Sequence, residues 1–471
     1  MKENEIILVN PFQRIIGDNE GASAPPLGLM YIASFLEKRG HSVGIVDARL
    51  NRFDISQTIR AMQKKSSHPL LIGLYINSFN QKICRNLVKD LKQVFPATTI
   101  VVGGPVPTAI PRRVLEDISP DYLVRGEGEF ALEGLVQKIK RNVGYPIREL
   151  PGIIPRDMSV PLDSRATRIT NLDDLPFPAY HLLGDIKKYS SFARGRPFAT
   201  MIISRGCQYN CDFCSKDVFG NNITRRSVQN VIDEIDELVG HFGIKQVNFV
   251  DDNLTNNRNY FEELLDGILV RNYKIWFNAS SGVRSEILDW QLLHKMHRAG
   301  FYSLAFGIES ADQKLLNLHD KNLNIDLMEA KIALARSAGF SIYGFFIIGL
   351  PGETEESFQK TLAFIQRTRL DMANFTIATP FPGTKMLRLI KEKGKLLVDI
   401  EGGIDKGYYG ASCFFAYPGL EPEDVIRRYK VAYRRFFNFK KILKLLIKYR
   451  GISEYRWFIA NGLSVARNIF R

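Results

Sequence analysis

Three of the chain's five cysteines, Cys207, Cys211 and Cys214, fall within eight residues as CxxxCxxC. So short a spacing gathers thiolates at a metal and is too clustered for a disulfide framework. Three thiolates hold a 4Fe-4S cube by three of its irons and leave the fourth without a protein ligand, open to a substrate. Zinc is the alternative, but a structural zinc takes four closed ligands, and the nearest remaining cysteine in sequence is Cys84. Cys84 and Cys413 stand alone and read as small buried hydrophobes.

A cysteine run of this kind needs a rigid element to carry it. From residue 196 onward, the strand-like runs FATMIISRG, QVNFVDD, IWFNASS, SLAFGIES, SIYGFFIIG and ANFTIATP alternate with amphipathic helical stretches. Six such units predict a parallel sheet curved like part of a barrel, a partial (β/α)6 barrel with its chemistry where the strands end. The cysteines follow the first run. Later runs lead into Asp251 and Asp252, Asn278 and Ser280 with Arg284 close behind, Glu309 and Ser310, and Gly349. Taken singly, each of these carboxylates also reads as a solvated loop residue.

Before the barrel, EIILVN, SVGIVD, LLIGLYI, TTIVVG and DYLV alternate with helical spacing over about 145 residues. Five β-α units predict an α/β, doubly wound, flavodoxin-like sheet. Ligands bind such sheets at the carboxyl ends of the strands, which here carry Asn10, Asp47, Ser78, Gly103, Gly104, Gly126 and Glu127. Glycines there let a ligand approach the backbone, and they equally close turns. Residues 146–195, rich in proline and polar residues, read as a connecting segment. The expected division is a doubly wound domain over 1–145, the connecting segment, a barrel over 196–400 and a helical, basic C-terminal region over 401–471.

With Phe213 before its last cysteine, the motif resembles the CxxxCxφC hallmark of the radical S-adenosylmethionine (SAM) superfamily. Later segments match that superfamily in order: Phe249 to Asn253 resembles FxDDxF, Gly307 to Ser310 resembles GxES, and Phe346 to Thr354 resembles a fifth-strand glycine motif. The resemblance implies a 4Fe-4S cluster on Cys207, Cys211 and Cys214, whose open iron is chelated by the amino and carboxylate groups of SAM. It further implies SAM contacts from Phe213 near the adenine and from Asp251 and Asp252 near the amino group. Asn278, Ser280 and Arg284 fall to the ribose, Glu309 and Ser310 to the ribose and methionyl end, and Gly349 completes the set.

PPLGLMYIASFLEKRGHSVGIVDA, VVGGPVPT and DYLVRGEGE resemble the cobalamin-binding domain that precedes this barrel in one branch, which includes methyltransferases and the anaerobic magnesium-protoporphyrin ester cyclase. The two resemblances cover roughly residues 4 to 400. They imply cobalamin at Asn10, Asp47, Ser78, Gly103, Gly104, Gly126 and Glu127, and cleavage of SAM to a 5'-deoxyadenosyl radical. They also imply methylation of an unactivated carbon in a hydrophobic or secondary-metabolite substrate, with an external donor such as flavodoxin or ferredoxin. Oxidative cyclisation or rearrangement without methyl transfer is the alternative chemistry, and an empty first domain the alternative occupancy. Outside catalysis stands a membrane-binding scaffold with a structural metal. The first strand is followed by Asn10-Pro11-Phe12-Gln13-Arg14 and not by DxHxxG, so no histidine of this loop is the lower ligand of cobalt. His41 reads as a surface residue.

Apolar residues make up 45% of the 471 and charged ones 24%, which excludes a disordered or fibrous chain. No signal peptide is visible and no apolar run reaches the roughly 20 residues that span a bilayer, so a cytoplasmic protein is expected. From Arg427 onward thirteen Lys and Arg face the single acid Glu454, so twelve of the fourteen net positive charges lie in the tail. Phe439, Ile442, Leu443 and Leu446 fall at i, i+3, i+4 and i+7 beside a Lys440, Lys444 and Lys448 stripe; Arg456, Trp457 and Phe458 follow. Such a helix suits an anionic membrane surface on the inner face of the membrane and a lipid substrate, or else packs its apolar face on the barrel. No zinc-finger, RRM or KH signature points to nucleic acid.

Overall fold

The computed structural model describes residues 3–12, 23–141, 149–190, 193–404 and 412–448, with side chains undescribed at Arg141 and beyond Leu445. Gln13, Arg14 and the Arg456, Trp457 and Phe458 run lie outside the described residues, as do the side chains of Leu446 and Lys448.

The first sheet contains β1 (Ile6–Asn10), β2 (Val43–Asp47), β3 (Leu71–Tyr75), β4 (Thr99–Gly103), β5 (Tyr122–Val124) and β6 (Ile153–Pro155), in the order β2-β1-β3-β4-β5-β6. The first five strands run parallel, as the doubly wound reading requires. Ile6, Ile7, Leu8 and Val9 are all buried, because helices cover both faces and the strand needs no polar side. The sixth strand pairs antiparallel with β5 and comes from the segment read as a connection. Three residues are too few to show a period.

The second sheet takes β7 (Phe198–Met201), β8 (Gln246–Phe249), β9 (Trp276–Ala279), β10 (Phe301–Glu309), β11 (Ser341–Ile348) and β12 (Met372–Ile377) in sequential order, all parallel. Sequential order puts every crossover helix on one side and leaves the other to face the interior. Phe249, Phe277 and Phe301 stack across β8, β9 and β10 with centroids 5.4–6.0 Å apart. Phe261, from helix Arg258–Arg271, meets Phe301 edge-on, so this ladder is the helix-facing side.

One apolar core runs through both sheets, including Leu8 of the first with Met30 of the helix Leu27–Glu37 that covers it, and Met201, Phe249 and Phe306 from the second. The connecting segment joins them: Tyr180 Oη donates to Thr200 O (2.9 Å), and Tyr189 Oη donates to Asp47 Oδ2 (2.8 Å). At the far edge, helix Pro422–Phe436 covers β12, with Tyr433 against Phe375 at 5.0 Å. Its Arg428 is buried and donates to Glu353 Oε1 (3.1 Å), whose other oxygen accepts from Gly349 N–H. Gly349 has φ +81°, and a Cβ there would lie 2.5 Å from Val425.

Gly349→Ala should therefore destabilise the fold by about 3 kcal/mol, part left-handed backbone and part overpacking. Urea unfolding of Gly349→Ala with and without Val425→Ala separates the parts: the second substitution should recover the packing share and leave the backbone share. Full recovery would show that the backbone costs nothing.

Candidate functional site

The cysteine loop leaves β7 through the short strand Ser204–Arg205, which pairs antiparallel with Thr224–Arg225. Gly206 has φ +94°, and a Cβ there would sit 2.2 Å from Asn222 O, so only glycine starts the loop. Two carboxylates at the end of β8 hold this start. Asp251 Oδ1 accepts from Ile203 N–H (3.0 Å), Ser204 N–H (2.7 Å) and Ser204 Oγ (2.8 Å), and Asp252 Oδ2 accepts from Gly206 N–H (3.1 Å). Asp251 is buried and its Oδ2 has no partner; burial pushes its pKa up to about 7.

His319 holds the far end. Its carbonyl accepts from Asp212 N–H (3.1 Å), and its Nε2 donates to Pro351 O (2.9 Å), tying the loop to the turn after β11. Burial lowers the His319 pKa, so the ring is neutral and Nε2 carries its hydrogen. Cys207 and Cys211 are half-buried and Cys214 is exposed. Desolvation by the loop, then the neighbouring Cys211 and Cys207, push the Cys214 thiol up to about 11 although the residue keeps an open face. Burial raises Cys211 as well, with Lys321 acting against it. Crowded thiols of this kind ionise together only around a cation, which suits an iron cluster. Among the described residues no three His, Cys, Asp or Glu side chains are already drawn together as a metal-holding group, the three cysteines included.

Beside the cysteines, Glu309 and Lys321 face one another, Nζ to Oε1 at 2.9 Å, with both side chains largely buried. The register of β10 against β11 shifts between Gly307 and Glu309, and Glu309 has φ +63°. This bulge re-aims the carboxylate. Gly307 leaves it room, since a Cβ there would lie 2.7 Å from Glu309 Oε1 and 3.2 Å from Lys321 Nζ. Lys321 also sits 5.8 Å from the Phe213 ring. Arg284 stacks on Tyr209 at 3.8 Å and donates to the carbonyls of Lys321 and Asn322, so it fastens the lysine turn to the cysteine loop.

The structure thus gathers Cys207, Cys211, Cys214, Phe213, Asp251, Asp252, Arg284 and Glu309. Three other expected SAM contacts serve the framework. Ser280 Oγ donates to Phe249 O (2.8 Å), Ser310 Oγ accepts from Asp312 N–H (3.1 Å), and Gly349 backs onto Val425. Asn278 is buried within β9, in register with Asn248 and Ser303. Lys321 and His319 escaped the sequence reading because they lie on a turn with no period or motif of its own.

At the carboxyl edge of the first sheet, Asn10, Ser78, Gly103, Gly104 and Gly126 share one rim with an apolar cleft of about 180 Å³ lined in part by Pro11, Phe12, Phe53 and Leu87. The glycine turns let a ligand approach the backbone of that rim, and the cleft beside them, too small to enclose a large ligand, offers apolar contact at its edge. Two of the expected contacts on that rim are already engaged within the protein. Asp47 accepts from Asn10 Nδ2 (2.9 Å), Leu50 N–H (3.0 Å) and Tyr189 Oη, and Glu127 accepts from Arg205 and Ile169 N–H (2.8 Å), so neither carboxylate keeps a free oxygen. His41 is buried beside Glu5 and Lys140 at the other end of β2, not at the surface. Cys84 and Cys413 are buried, as expected.

The two rims face each other. Phe79, after β3, meets Phe381, after β12, edge-on at 5.9 Å, and Ile404 N–H donates to Ser78 O (2.8 Å).

The profile of the radical SAM superfamily matches residues 201–365, and that of the B12 binding domain matches 13–136. An uncharacterized methyltransferase of Pyrococcus horikoshii is 32% identical over 82% of this chain and 83% of its own length. The cytidylyl-2-hydroxyethylphosphonate methyltransferase of Streptomyces wedmorensis is 28% identical over 93% and 90%. The solved structure of the radical S-adenosylmethionine methyltransferase TsrM from Kitasatospora setae, with cobalamin and a 4Fe-4S cluster bound, superposes with a TM-score of 0.74 over 98% of both chains. At 17% identity that likeness is one of fold.

Asp251 titrates from an ordinary 3.8 to about 7 on folding. The folded state binds the proton more tightly, so the stability it contributes is complete below the ordinary value and is lost as pH rises through about 7. Asp251→Asn keeps an acceptor for the three donors and should flatten that fall. Comparing urea midpoints at about pH 5 and about pH 8 cancels the other buried carboxylates with raised pKa, Asp47, Glu234 and Glu353. An equal fall in both proteins would contradict the assignment.

Proposed function

The chain belongs to the radical SAM enzymes that carry a B12-binding domain, and from that premise we propose that it methylates an unactivated carbon of a hydrophobic or secondary-metabolite substrate. The observation that carries this reading is the opposition of the two rims. One bears the glycine turns and apolar cleft, the other the cysteines and the Glu309 and Lys321 pair. When bound, the cluster with SAM supplies a 5'-deoxyadenosyl radical and cobalamin supplies a transferable methyl group.

The chain's own part is placement. Cys207, Cys211 and Cys214 hold the cluster. Glu309 and Lys321 offer one charge of each sign and so complement the zwitterionic methionyl end of SAM. Phe213 gives a flat apolar face beside them, and Asp251, Asp252 and Arg284 keep the loop from shifting. Substrate enters between the rims, with Phe79 and Phe381 closing one side against water. Flavodoxin or ferredoxin supplies the electron.

The tail supports a further location. Among the described residues no helix is long and apolar enough to cross a membrane. In helix Phe439–Lys448, Leu445 packs with Met372, yet Phe439 is 80%, Ile442 45% and Leu443 49% exposed. An apolar stripe left open beside exposed Lys440 and Lys444 suits adsorption on an anionic bilayer and delivery of a hydrophobic substrate from it.

With SAM carrying a deuterated methyl group, the anaerobically reconstituted enzyme should yield a deuteromethylated product together with 5'-deoxyadenosine, read by mass spectrometry. Deoxyadenosine with an oxidised, unmethylated product would contradict methyl transfer.

Vesicles of phosphatidylglycerol test the tail. The full chain should sediment with them, partly in a salt-resistant way, and Phe439→Ser, Ile442→Ser and Leu443→Ser together should remove that part. Each engaged Lys or Arg adds about 1 kcal/mol that salt screens. A full chain that stays in the supernatant at low salt overturns the location.

A further inference from the structure

Arg205 stands two residues before the first cysteine and is 3% exposed. Its guanidinium reaches into the first domain, where Nη1 donates to Glu127 Oε1 at 2.8 Å and Nη2 to Glu129 Oε1 at 2.6 Å, both side chains nearly as buried. Its Cζ lies 5.2 Å from the ring of Tyr31, in helix Leu27–Glu37 of the first domain, and 5.2 Å from that of Phe219, just past the cysteines. Two carboxylates and one guanidinium out of water cost about as much to desolvate as they return in attraction, so the trio adds little net stability. What it fixes is position, because withdrawing either side strands an uncompensated buried charge.

Both ends of the trio continue into a functional rim. Gly126 N–H donates to Thr108 Oγ1 (3.1 Å), Arg125 Nε donates to Thr108 O (3.0 Å), and Thr108 Oγ1 donates to Gly104 O (2.8 Å), on the turn after β4. On the other side Arg205 leads through Gly206 directly to Cys207. Partly buried hydrogen bonds, one buried ion trio and three peptide units thus connect the strand-end rim of the first domain to the first cluster ligand.

We propose that Glu127, Glu129 and Arg205 are positioning residues that couple cobalamin binding to the order of the cysteine loop. Holding the rim in its bound form steadies the trio and with it residues 203–216. By reciprocity a loop ordered by its cluster raises the affinity of the rim for cobalamin. Glu127 then serves the cofactor through Arg205 and not by contact. The proposal rests on the rim being the cobalamin site.

The test is amide hydrogen exchange over residues 203–216 in the full, cluster-loaded chain, with and without hydroxocobalamin, uptake being read by absorption. In the wild type cobalamin should slow exchange about tenfold, and Arg205→Met should take up cobalamin with no slowing. Arg205→Lys, which keeps the charge but reaches one glutamate at a time, should retain part of it. If Arg205→Met does not fold, Glu129→Gln decides, with the slowing expected to shrink about threefold. Undiminished slowing in either folded variant overturns the proposal, as does unchanged exchange in a cobalamin-loaded wild type. A wild type that takes up no cobalamin overturns the proposal together with the reading of the rim.

Discussion

Every functional feature depends on holding a loop that cannot hold itself. Cys207 to Cys214 has one internal backbone bond among those described, from Cys214 N–H to Cys211 O, and no strand or helix of its own. Its place is set by acids from outside, three of them buried and Asp252 exposed. Asp251 grips the backbone before it with one oxygen, Asp252 holds Gly206, and Glu127 and Glu129 hold Arg205 from the first domain. A carboxylate taken out of water is tolerated where several N–H groups or a guanidinium meet it, so each of the three buried acids is tied to one geometry. The same condition explains the raised pKa of Asp251, whose second oxygen has no donor.

The two sheets answer a second requirement, that two strand-end rims face each other. A parallel sheet collects its loops at one rim, and stacking two such sheets rim to rim leaves the chemistry between them. The connecting segment keeps them so. Tyr180 and Tyr189 bury their rings in the shared core and spend their hydroxyls on Thr200 of the second sheet and Asp47 of the first. Helix Pro422–Phe436 seals the far edge of the barrel through Val425 against Gly349 and Arg428 against Glu353.

Both sheets were legible in the sequence because parallel strands are continuous β-branched runs, and the cysteine spacing named the metal chemistry before any fold was known. Glu309 was legible through GxES, and the bulge at Gly307 shows why that glycine is required. Tertiary pairings were not. Lys321 reaches Glu309 from twelve residues on, and Arg205 meets Glu129 across 76 positions, distances that no local period encodes. Asp47 and Glu127 sit at strand ends as predicted, but a strand-end acid can serve a ligand or the framework, and the framework partners that both hold lie far away in sequence. In the tail, the helical spacing was read correctly, yet among the described side chains Leu445, outside the predicted stripe, is the one that packs, and Phe439, Ile442 and Leu443 of the stripe stay exposed.

The central claim is that Cys207, Cys211 and Cys214 hold a cluster that cleaves SAM, and it is tested most directly by replacing one ligand. Anaerobically reconstituted wild type should contain about four irons per chain and form 5'-deoxyadenosine on reduction with SAM, while Cys211→Ala should lose both. Cys84→Ala and Cys413→Ala should keep both. A Cys211→Ala protein with full iron content and undiminished deoxyadenosine formation would contradict the account.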